Sequence, residues 1–96
     1  MSIYAVTYTY SDDVALRDAE RGAHRDYLAG LDDLVIAGPW GADEAAGALL
    51  LVRGEDADAV RALTAEDPFV KAGVVTEQTV RAWLPVLGPA KSAFDV

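Results

Sequence analysis

The chain has 96 residues and no cysteine, with 52% hydrophobic and 25% charged side chains. That is one globular domain near the lower size at which a core forms unaided, without disulfides or thiolate metal sites. Sixteen acidic against eight basic side chains give a net charge of −8, which repels nucleic-acid phosphates and anionic membranes.

"SIYAVTYTY" (2–10) alternates and is rich in β-branched and aromatic residues, so it reads as a strand. Tyr4, Val6, Tyr8 and Tyr10 share one face; Ile3, Ala5, Thr7 and Thr9 share the other. Residues 11–31 have helical character, with Ser11, Asp12 or Asp13 to cap the start and Gly30 to end it. "DLVIAGPW" (33–40) is a short apolar strand entering a turn at Gly38-Pro39, and "ALLLVRG" (48–54) is a second buried strand. The acids that open "EDADAVRALTAE" (55–66) suit a helix N-terminus, with Val60 and Leu63 on one face. In "AEDPFVKAGVV" (65–75), Asp67 can cap a short helix, Pro68 fits its first position, and Gly73 supplies a left-handed stop. Residues 74–86 read as the last strand. The core therefore spans about 2–86 and a tail occupies 87–96 of a single domain.

The order β-α-β-β-α-β predicts an α+β, ferredoxin-like fold with a four-stranded antiparallel sheet. Two helices cover one face of such a sheet, and these strands carry too much apolar surface for the other face to meet water. In the last strand Val75, Glu77, Thr79, Arg81 and Trp83 alternate with Val74, Thr76, Gln78, Val80 and Ala82. A face with Glu, Thr and Arg beside Trp suits a cavity between two sheets, so a homodimer is expected. No apolar run approaches the ~18–20 residues that span a bilayer. The first residues lack the pattern of a signal peptide, so the protein is expected to be cytoplasmic, with no membrane or nucleic-acid partner.

His24, the one histidine, shares a helix face with Arg17, Arg21 and Leu28, with Glu20 and Tyr27 at the margins. Two arginines beside an imidazole in so acidic a chain can accept the carboxylate or enolate of a small ligand. The plainer alternative pairs those arginines with Asp13, Asp18 or Glu20 and leaves His24 on the surface. Tyr4, Tyr8 and Tyr10 can line a pocket or belong to core or interface, and Trp40 and Trp83 are similar cases. With one His, no Cys and no carboxylates at ligand spacing, no metal is expected; "DADA" (56–59) lacks the other ligands of a calcium loop. "GADEAAG" is not a phosphate-binding loop.

"RGAHRDYL", "IAGP", "DPFVKAGV" and the closing "VRAWLP", in this order from about residue 3 to residue 84, resemble the YCII-related (YciI-like) family of the dimeric α+β barrel superfamily. The matching positions are Arg21 and His24; Ala37, Gly38 and Pro39; and Asp67, Pro68, Phe69, Ala72 and Gly73. The resemblance implies a catalytic His24–Asp67 dyad; the residues themselves offer Arg17, Arg21 and Tyr8 as substrate contacts, and no cofactor is expected. The resemblance also implies proton transfer, isomerisation or elimination on a small aromatic or carboxylated molecule. Some relatives carry a hydroxyl residue near the third strand, whereas this chain reads "AAGALLLV" (45–52), which argues against a Ser-dependent mechanism. The alternatives are a non-catalytic small-molecule-binding module or a protein-interaction subunit of the same fold.

Overall fold

The computed structural model describes residues 1–94. Positions 95 and 96 of the expected tail lie outside the described residues. The elements are β1 (Ser2–Tyr10), α1 (Val14–Ala29), β2 (Leu34–Pro39), β3 (Gly47–Gly54), α2 (Ala57–Thr64), α3 (Pro68–Lys71) and β4 (Val75–Trp83). A 3-10 segment, Pro89–Phe94, follows. The sheet order is β2-β3-β1-β4, with every neighbouring pair antiparallel. This is the ferredoxin-like βαββαβ arrangement, to which α3 adds one turn of helix before the last strand.

Local chemistry explains the elements. Proline-free α1 is rich in Ala, Arg and Leu, which lose little rotamer freedom in a helix. Asp13 caps it by accepting from the Leu16 amide at 3.0 Å. Gly30 stands at its C-cap with φ −85°, a right-handed conformation, and its N–H reaches the carbonyls of Asp26 and Tyr27. Gly73, with φ +84°, does supply the left-handed turn after α3 that an L side chain rarely adopts.

The helices cover one face. Val6 and Tyr8 of β1, Ala48, Leu50 and Val52 of β3, Leu28 of α1 and Val60 of α2 form the buried cluster. At β3, a Cβ on Gly47 would stand 2.1 Å from the Tyr8 carbonyl oxygen and 3.0 Å from the Trp40 ring, so only glycine fits there without a shift.

The opposite face carries Ala5, Leu49, Leu51 and the exposed Ile36. Thr7 and Thr79 are hydrogen-bonded across the β1–β4 pairing on this face. Glu77, Arg81 and Trp83 lie there as expected, but Val75 does not. A register shift between Thr9 and Tyr10 pairs Tyr10 with Val75 and turns that side chain against the helix-side core. The 3-10 segment reaches one end of the same face. Arg53 donates to the Ala93 carbonyl at 2.6 Å, and Trp83 meets Phe94 edge-on at 5.5 Å. Ile3, paired with both Arg53 and Trp83 in the sheet, is buried. No helix among the described residues is long and apolar enough to cross a membrane.

Candidate active site

Asp67 is the first residue to explain, because a carboxylate that is 0% exposed needs a reason to be inside. It is the N-cap of α3: its Oδ1 accepts from the Phe69 amide at 2.9 Å, while Pro68 takes the position whose missing N–H costs nothing. The same carboxylate accepts two side-chain donors. His24 Nδ1 stands 2.8 Å from Oδ1 and 3.0 Å from Oδ2, and the Tyr8 hydroxyl donates to Oδ2 at 2.9 Å. Three donors on one group call for an ionised acceptor. They also place a proton on Nδ1, which leaves Nε2 to carry the lone pair of the neutral imidazole.

His24 arrives on α1, one turn before Leu28; these are the two buried residues of that helix. The α1 register is held further along by Tyr27, whose hydroxyl donates to the Leu63 carbonyl at 2.5 Å. Phe69, presented by α3, stacks on the imidazole with centroids 3.8 Å apart and planes 5° from parallel. It also meets Tyr10 edge-on at 5.3 Å. One ring face and Nδ1 of His24 are thus occupied. Nε2 has no hydrogen-bond partner among the described residues.

A cavity of about 570 Å³ opens against this pair, between α1, α3 and the β2–β3 end of the sheet. Its cationic side is α1, which contributes Arg17, Arg21 and Arg25 beside His24. Its opposite wall is made of small residues, from Ala37 to Pro39 and from Ala46 to Ala48, with Trp40 against Gly47. Glu44 is the acidic residue of the lining.

The two arginines singled out from the sequence differ. Arg21 holds Asp18 at 2.7 Å in an exposed pair one turn away. Arg17 makes no ion pair among the described residues; it lies over the Tyr10 ring at 5.6 Å, and its Nε is buried without a partner. Tyr10 lines the cavity, but Tyr8 does not. Tyr8 was expected among the substrate contacts; it is buried in the core, where its hydroxyl is engaged by Asp67. Trp83 is also away from the cavity, against Phe94.

The charges follow from burial. The Tyr8 hydroxyl is pushed far above its ordinary value by burial first and then by the Asp67 charge. Tyr10 is raised by burial and by Asp67, opposed by Arg17 and Arg21. Both effects on Tyr8 favour the protonated hydroxyl, the form that donates to Asp67. Among the described residues no group of three or more His, Cys, Asp or Glu could hold a metal ion. Sequence reasoning missed Arg25 and Glu44 in the cavity. Arg25 follows Arg21 by four positions, a helical spacing that pointed to it; Glu44 lies in a loop with no such signal.

The YCII-related domain matches residues 1–84. The chain belongs to the YCII-related family. Among solved structures it is similar to 5-chloro-2-hydroxyhydroquinone dehydrochlorinase (TftG) from Burkholderia phenoliruptrix AC1100, in complex with 2,5-dihydroxybenzoquinone. That likeness has 26% identity and a TM-score of 0.73, over 84% of this chain and 92% of the other. A dimeric ferredoxin-like protein of unknown function from Thermobifida fusca YX shares the fold, at 14% identity and a TM-score of 0.50, over 86% and 90% of the two chains. No curated protein matches the chain. The family match ends at residue 84, so the 3-10 segment against the open face lies outside the domain shared by the YCII-related proteins.

Proposed function

We propose that this YCII-related protein is a small cofactor-independent enzyme in which His24 moves a proton and Asp67 orients it. The observation that carries this is the buried Nδ1–carboxylate contact of 2.8 Å in a histidine that lines a cavity and has no partner on Nε2 among the described residues. A carboxylate on one ring nitrogen fixes the tautomer and supports the charge that forms when the other takes a proton.

His24 Nε2 removes a proton from a hydroxyl, or from a carbon beside a carbonyl. The electron pair left behind passes into the conjugated system as an enolate or phenolate. Arg17 and Arg21, on the cationic wall, receive that negative charge. At a carbon already saturated the pair departs with a leaving group, which is elimination. Otherwise it takes a proton back from the imidazolium at another carbon, which is isomerisation and converts an aromatic ring carbon that bears the leaving group into such a saturated one. The dehydrochlorinase likeness favours elimination from an oxygenated ring. The apolar wall opposite the arginines suits a flat molecule. The enzyme acts as a homodimer through the open sheet face, where Ile36, Leu49 and Leu51 offer apolar surface.

The test uses chlorinated hydroxyquinols as substrates, with chloride release as the readout, and 2,5-dihydroxybenzoquinone as a binding probe. Native protein turns over, and His24→Ala lowers kcat by about 10²-fold or more while the probe still binds. Probe binding by native protein without turnover of any small phenol or keto acid would leave only the binding-module reading.

A further inference from the structure

A carboxylate buried against an imidazole raises a difficulty for any proton-transfer role. If the full charge of Asp67 faced His24, the imidazolium would be held too firmly to give its proton back. Tyr8 is placed to relieve this. Its hydroxyl donates at 2.9 Å to Oδ2, the oxygen that lies 3.0 Å from Nδ1, while the Phe69 amide takes up part of the charge on Oδ1. All three side chains of this chain of contacts are buried, so water cannot replace the phenol.

We propose that Tyr8 is a positioning residue that sets the basicity of His24 by sharing the charge of Asp67. This rests on the His24–Asp67 reading above and adds to it a residue that touches no substrate. Because burial keeps the proton on Tyr8, the sharing persists over the working pH range. Other charges also face His24. Arg17, Arg21 and Arg25 of α1 oppose its protonation, Glu44 from the β2–β3 loop favours it, and Tyr10 of β1 is neutral beside it. Those groups are at the cavity and change with a ligand; Tyr8 is beneath it and does not.

His24 is the one imidazole of the chain, so its NMR titration assigns itself. In Tyr8→Phe, whose ring keeps the packing, the titration midpoint rises by about half a pH unit or more relative to native protein. With 3-fluorotyrosine in place of Tyr8, a stronger donor of nearly the same shape, it falls. Tyr27→Phe, which removes a hydroxyl bound to the Leu63 carbonyl, leaves it in place. The two readings separate through Asp67→Asn. If that variant lowers the midpoint while both changes at Tyr8 leave it unmoved or reverse these directions, the Tyr8 proposal is overturned and the dyad stands. If Asp67→Asn leaves it unmoved, both are overturned.

Discussion

The starts of α2 and α3 use the same chemistry and arrive at different ends. Asp56 accepts the Ala59 amide at 2.7 Å and Asp67 accepts the Phe69 amide at 2.9 Å, so each satisfies a first-turn donor. Asp56 is exposed, and water supplies the rest of its hydrogen bonds. Asp67 is enclosed, and the protein must supply them, through His24 and Tyr8. The lesson is that a cap acquires chemistry when burial removes water as a partner. The side chains recruited to replace water are then held in fixed geometry.

The largest effect should come from emptying each cap. Asp67→Ala strands the Tyr8 hydroxyl, the His24 Nδ1 and the Phe69 amide in the core, and urea unfolding should show a loss of about 3–5 kcal/mol. Asp56→Ala should cost about 1 kcal/mol by the same measurement. Equal losses would break the comparison.

Alkaline pH sharpens it, because a buried phenol accompanies only the α3 cap. Tyr8 in the folded chain is raised above the ordinary value of 10.0, so folding favours the protonated phenol. Its contribution is fully present below pH 10 and is lost as pH rises above that value, at about 1.4 kcal/mol per pH unit for one such group. Tyr10 and Tyr27 shift in the same direction. Urea melts between pH 9 and about 11 should therefore show a downward slope that Tyr8→Phe makes shallower.

The smallest effect belongs to a carboxylate left wholly at the surface. Asp18 holds Arg21 at 2.7 Å, yet both side chains are exposed, 57% and 40%. Asp18→Ala should change stability by less than about 0.5 kcal/mol in the same melts.

Much of this architecture is written in local pattern. Alternation in residues 2–10 assigned both faces of β1, and the Asp-Pro spacing to Gly73 located a one-turn helix with its cap and stop. Alternation cannot register a bulge, which is why Val75 was placed on the wrong face. It also cannot say what lies above a strand, so Tyr8 could be assigned a side of the sheet but not Asp67 as its partner. His24 and Asp67 are 43 positions apart, and no helical or strand period spans that distance; only the family resemblance joined them. The buried Arg17 Nε was equally illegible, because spacing offered Asp13 as a partner and that group has none among the described residues.

The 3-10 segment alters what counts as the folding unit. Family membership stops at residue 84, but the contacts of Arg53 with Ala93 and of Trp83 with Phe94 tie the following residues onto the sheet. A piece cut at the family boundary would lose both contacts and uncover the Trp83 ring at the end of the face carrying Leu49 and Leu51. The unit that descends with the family and the unit that is finished as a surface are therefore different lengths of the same chain.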